Sequence, residues 1–184
     1  MRTLAITQNI TLDGAAEMLD DWFDPQGSGD VADLLAEQNR QSANSDALLT
    51  GRRTFEDFRS YWPLQTEDPT GITAYLNQVN KYVVSATLEE PGWQNTTILR
   101  GDPVEAVREL KRQPGLDIVV TGSITLCHSL IAGGVVDEYR LFVYPAVQGR
   151  GRRLFPDGFK LPHLTLREAM AFSTGITYSR YTVD

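Results

Sequence analysis

The sequence predicts one α/β domain spanning residues 1–184, with a mostly parallel central sheet and an antiparallel C-terminal hairpin. Short β-branched and aliphatic runs alternate with stretches of helical apolar spacing, which implies a parallel sheet covered on both faces. The final stretch, 164–184, alternates in polarity around Thr174-Gly175, as a hairpin does. With 184 residues the chain can bury a full core, and no repeat, low-complexity tract or linker divides it.

Each element has its own signal. "TLAITQNITL" (3–12) reads as a strand and stops at the turn pair Asp13-Gly14. An irregular loop with Pro25, Gly27 and Gly29 follows, and Asp30 is placed to cap a helix in which Val31, Leu34, Leu35 and Gln38 keep helical spacing. "ALLT" (47–50) is a short buried strand ending at Gly51, and "RRTFEDFRSYW" a helix stopped by Pro63. Residues 72–80 read as a helix, 81–85 and 96–99 as strands. Asp102, Pro103 and Glu105 form a helix-start signature whose inner face is Val104, Val107 and Leu110. "DIVVTGS" (117–123) runs from strand into glycine, then a helix reaches a double-glycine stop, and 136–147 is a strand closed by Pro145.

Composition narrows the function classes. A net charge of -7 argues against a general nucleic-acid or anionic-membrane binder, yet leaves room for an anionic cofactor held by local arginines and backbone amides. Cys127 is the only cysteine, which rules out an intrachain disulfide or a cysteine-based zinc cluster. His128 and His163 are isolated, so no metal site is expected. No run is long enough for a spanning helix and the start lacks a secretory h-region, so a cytoplasmic protein is expected.

The chemistry is expected where strands end in glycine. "ALLTG" and "DIVVTGS" do so at Gly51 and Gly122, and open α/β sheets bind ligands outside the carboxyl ends of their strands. A following helix start offers unpaired amides and a positive dipole end to a phosphate. Arg52, Arg53 and Thr54 would add hydrogen bonds, and Ser85 and Thr87 supply hydroxyls at a third strand end. Three such ends suit a dinucleotide; helix capping by the same residues is the competing reading of each alone. Successive residues at a helix start diverge by roughly 100°, so Arg53 is the more solvent-facing of the pair. "GRGRRL" (149–154) imitates a dinucleotide fingerprint, but Leu154 replaces the third glycine; Gly149 and Gly151 are read as turn residues that fold Leu154 and Phe155 onto the core.

Together "NITLDG", "ALLTGRRTFEDF", "KYVVSATLEEPGW", the segment Asp117 to Phe155 and the terminal "ITYSRY" follow the order of the dihydrofolate-reductase-like superfamily. The chain most resembles stand-alone relatives of the reductase domain of bacterial riboflavin-biosynthesis deaminase-reductases. That resemblance implies a three-layer fold with an eight-stranded sheet, an NADPH-dependent reductase acting on a small heterocyclic or carbonyl substrate, and a homodimer. It assigns Gly51, Arg52 and Thr54 to the first cofactor turn, with Arg53 beside them. Ser85 and Thr87 fall at the 2′-phosphate end, and Gly122 and Ser123 at the pyrophosphate turn.

On the substrate side the resemblance points to Asp33 as the helix carboxylate that anchors a pterin and to Asp13 beside the nicotinamide. Trp22, Phe55, Phe58 and Trp62 are candidates to stack on a flat ring, with Trp22 in a lid role. The glutamate and second glycine common in the fused enzymes are replaced by Thr121 and Ser123, and their zinc-deaminase motif is not found in this sequence. Reduction of a phosphoribosylaminouracil, nucleotide binding without turnover, and flavin binding stay open as alternatives.

Overall fold

In the computed structural model of the chain, β1 (Leu4–Thr11) runs through the middle of an eight-stranded sheet. The structure describes residues 1–24, 30–161 and 163–184; the loop residues Pro25, Gly27 and Gly29, and Pro162, lie outside them. The other strands are β2 (Ser45–Gly51), β3 (Asn80–Val84), β4 (Thr96–Leu99), β5 (Asp117–Val120), β6 (Glu138–Tyr144), β7 (Leu164–Ala171) and β8 (Thr177–Val183). Their order across the sheet is β4-β3-β2-β5-β1-β6-β8-β7. The first six are parallel, while β8 is antiparallel to both β6 and β7. The fold is dihydrofolate-reductase-like.

Strands inside a parallel sheet are covered on both faces and therefore read as near-continuous apolar runs. Leu4, Ala5 and Ile6 are fully buried, and so are Leu49, Ile118 and Val120 in β2 and β5. On one face α4 (Pro103–Arg112) and α5 (Ile124–Ala132) pack Val107, Leu110, Leu126 and Leu130 against Leu4, Ile6, Ala47, Leu49 and Ile118. On the other lie α1 (Ala32–Ala43), α2 (Arg52–Tyr61) and α3 (Ile72–Gln78), which bring Leu34 to Phe142 and Tyr178, Phe55 to Val83, and Leu76 to Leu48. A single 3-10 turn, Trp62–Leu64, follows α2 at Pro63.

Local chemistry sets the element ends. Asp102 accepts from the amides of Val104 (2.8 Å) and Glu105 (3.1 Å) and starts α4 with Pro103 in its first turn. α1 begins at Ala32 behind Val31, and Asp30 reaches only the Ala32 amide, at 3.4 Å, so the expected Asp30 cap is replaced. α3 stops at Gln78, before the expected Asn80. The buried ammonium of Lys81 takes the carbonyls of Leu76 (2.6 Å) and Val79 (3.0 Å), and the chain turns there into β3. In the 149–154 stretch Gly149 and Gly151 sit at φ +70° and +91°, and Leu154 returns to the main core, as turn residues require.

The topology places the site. The chain leaves β2 outward to β3, but leaves β5 in the opposite direction, to β6. Because β2 and β5 are neighbours, a crevice opens outside their carboxyl ends, at Gly51 and Gly122. Among the described residues no helix is long and apolar enough to cross a membrane, and no cluster of His, Cys, Asp and Glu is arranged to hold a metal.

Candidate functional site

At the crevice the two glycine turns lock together. The Gly51 amide donates to the Gly122 carbonyl at 3.1 Å. A Cβ on Gly51 would lie 2.4 Å from Ser123 Oγ, and one on Gly122 would lie 2.8 Å from Thr54 Oγ1. Gly122 also has φ +149°, which L side chains rarely adopt, and the Gly122–Ser123 peptide is cis. Only glycine lets these backbones approach so closely. Gly51, Thr54, Gly122 and Ser123, 68 or more residues apart in two pairs, become one structure.

The starts of α2 and α5 meet at these turns. α2 begins behind Gly51 with no side-chain cap, whereas Ser123 caps α5 by accepting from the Leu126 amide at 3.4 Å. Uncapped amides and two converging positive dipole ends form a ready anion site. The hydroxyl of Thr50, immediately before Gly51, is buried and has no partner among the described residues. This donor set, neutral hydroxyls and amides flanked by guanidinium groups, suits the pyrophosphate of a dinucleotide.

Arg52 leans along the edge toward β3. Its Nε donates to Glu56 at 2.8 Å and its Nη1 to Thr87 Oγ1 at 2.6 Å, which joins two of the expected ligands. Ser85 is more deeply placed: its hydroxyl accepts from the amides of Thr87 (3.2 Å) and Leu88 (2.9 Å) and shapes the turn. Arg53 is exposed on the side of Glu17, whose carboxyl is held below its ordinary range chiefly by hydrogen bonds from Arg152, with Arg53 a lesser influence. Sequence reading missed Arg100. Its guanidinium donates to the carbonyls of Ser85 (2.8 Å) and Leu88, so a second cation stands behind this strand end.

Below the crevice, between the sheet and α1, α2 and α3, lies a cavity of about 400 Å³. Its floor is Thr7 and Asn9 of β1, Leu48 of β2, Val119 of β5 with Thr121 just past its end, and Phe142 and Tyr144 of β6. Leu34, Leu35, Gln38 and Gln41 of α1 form one wall; Asp57, Phe58, Tyr61, Trp62, Ile72 and Tyr75 form the other. Thr121 joins the regions, because it lines the cavity and immediately precedes Gly122. The Thr7 hydroxyl is enclosed without a partner among the described residues, and burial together with the charge of Asp24 pushes the Tyr144 phenol up to about 12.

The substrate-side expectations separate here. Phe58 and Trp62 line the cavity. Phe55 does not: it packs in the core with Val83 and Leu88 and lies 5.9 Å from the Trp93 ring. Trp22 stands behind the wall, edge-on to Tyr144 at 5.3 Å, with its indole N–H on Gln148 at 2.8 Å. Asp13 is engaged by its own loop, accepting from Thr11 Oγ1 (2.5 Å) and the amides of Gly149 (2.7 Å) and Gln148 (3.2 Å); the Thr11 hydrogen bond is the main reason its carboxyl is held at about 2. Asp33 is turned outward to the β7–β8 turn, where it accepts from the Ser173 amide (2.7 Å) and hydroxyl (3.0 Å). The α1 residues that face the cavity are neutral. Thr7 and Asn9 went unnoticed, although two polar residues in a strand buried on both faces were a readable sign.

A doubly wound sheet with paired glycine turns at its switch point and a cavity beneath defines a dihydrofolate-reductase-like domain. The chain belongs to the RibD C-terminal domain family, whose model matches residues 2–178. It is 31% identical to the uncharacterized protein YyaP of Bacillus subtilis (strain 168), over 98% of this chain and 94% of YyaP. Among solved structures, a putative riboflavin biosynthesis protein from Shewanella sp. PV-4 superposes with a TM-score of 0.72 at 18% identity, over 99% of both chains. Dihydrofolate reductase from Enterococcus faecalis, complexed with NADP(H) and RAB-propyl, does so with 0.64 at 15% identity, covering 98% of this chain and 95% of its own. Likeness at such identities speaks for the fold alone.

Proposed function

We propose that the protein is an NADPH-dependent reductase of a small heterocyclic or carbonyl compound. The observation that carries this reading is the junction at Thr121, where a strand-end crevice of glycine turns and helix starts meets a mostly apolar cavity. The amides at the start of α2, with Thr54 and Ser123, would hold the pyrophosphate; Arg52 and Thr87 would hold the 2′-phosphate end. Bound NADPH would supply a hydride to a C=N or C=O carbon. The chain's work is positioning and exclusion of water: Phe58, Trp62 and Tyr144 confine a ring, while Thr7, Asn9 and Thr121 offer it hydrogen bonds. Tyr144 stays protonated at neutral pH and can donate to a heteroatom.

Titration with NADPH and with NADH, followed by quenching of tryptophan emission, tests the reading. NADPH should bind the more tightly, and Arg52→Ala should reduce that preference by roughly tenfold or more, the worth of a charge-assisted hydrogen bond. No saturable binding of either nucleotide would overturn the assignment.

A further inference from the structure

We propose that the cavity admits an uncharged flat ring and rejects phosphorylated or carboxylated compounds. The inference deepens the reductase reading and rests on it. None of the described residues lining the cavity is Lys, Arg or His. Its formal charges are the carboxylates of Asp24 and Asp57, both on exposed residues. Cations on the surrounding elements are committed elsewhere. Arg40 of α1 is held by Glu37 and Glu168, Arg52 by Glu56 and Thr87, and Arg59 by the Pro91 carbonyl.

A buried anion needs a paired cation or several aimed donors, or its desolvation is uncompensated. Here the added charge would meet an apolar wall and no lining cation among the described residues. What the lining does offer is aromatic surface, from Phe58 and Trp62 in the wall and Phe142 and Tyr144 in the floor, with amide and hydroxyl groups from Asn9 and Thr7. Such a surface recognises the faces and polar edge of a planar heterocycle. The arginines of the crevice do not line it: Arg52 and Arg53 open α2 and Arg100 follows β4. The reading therefore separates this chain from enzymes whose substrates carry a sugar phosphate.

Matched ligands test it by calorimetric titration in the presence of saturating NADP+, which binds without turnover: lumazine against lumazine-6-carboxylate, and riboflavin against FMN. In at least one pair the neutral member should bind, and more tightly than its anionic partner by roughly tenfold or more. Asp57→Lys should shrink or invert that ratio while leaving NADP+ affinity unchanged. Anionic members binding as well as neutral ones, an Asp57→Lys variant with the same ratio, or no binding in either pair while NADP+ binds normally would each overturn the inference alone. Failure of NADP+ itself to bind would instead strike the reductase reading beneath it.

Discussion

The strand-end crevice and the cavity below it share one sheet but are made of different materials. The crevice is backbone: two glycines, uncapped amides and a pair of helix starts, with arginines around them. The cavity is side chains, drawn from β1, β2, β5, β6 and three helices on the same face. A backbone site tolerates almost no change at its glycines. A side-chain site can be re-specified one residue at a time.

The severest way to break the contrast is Gly122→Ala. The new Cβ would sit 2.8 Å from Thr54 Oγ1 on a backbone at φ +149°. A destabilisation of about 1–3 kcal/mol is expected from such strain, together with a loss of NADPH affinity of roughly a hundredfold. Adding Thr54→Ala removes the nearest clash but leaves the backbone conformation, so thermal stability should recover only in part. Full recovery in melting experiments would mean that contact, not conformation, makes glycine necessary.

Phe58→Ala addresses the other region. Phe58 is half-buried and lines the cavity, so truncation should cost about 1–2 kcal/mol of stability. It should weaken binding of a neutral ring by roughly tenfold, the worth of a lost stacking surface. NADPH affinity should stay within about twofold, since effects at separated sites are nearly independent. Parallel losses in both titrations would show that crevice and cavity do not act separately.

The same contrast governs what could be read from the sequence. The crevice was legible because its parts are contiguous: "LLTGRRT" and "VVTGS" each carry a strand, a glycine and a helix start within a few residues. The sheet was legible for a related reason, since β-branched runs and the Thr174-Gly175 turn are local signals. The cavity was not, because Thr7, Gln38, Phe58, Thr121 and Tyr144 come from five separate stretches of chain whose meeting depends on strand order. Aromatic identity alone does not tell Phe58, on the cavity, from Phe55, three residues earlier and in the core. Arg100 was hidden likewise, being 15 residues from the Ser85 carbonyl it serves.

The smallest effect is expected at Asp33, and it is the sharpest discriminator. The resemblance to folate reductases makes this carboxylate a substrate anchor; its contacts make it a tie between α1 and the β7–β8 turn. As a tie, Asp33→Asn should leave nucleotide and ring binding within about twofold and lower the melting temperature slightly at neutral pH. The hydrogen bond from the Ser173 amide, first among several, holds the Asp33 carboxyl below its ordinary value of 3.8. A carboxyl depressed in the folded state stabilises fully above its unfolded pKa and loses that contribution as pH falls through the folded one. The melting difference between wild type and Asp33→Asn should therefore persist down to about pH 5 and close below about pH 4. Reductase turnover that collapses in Asp33→Asn while its melting temperature is unchanged would reverse the assignment. α1 would then have to present this edge, not its Leu34 and Gln38 face, to the reacting ring.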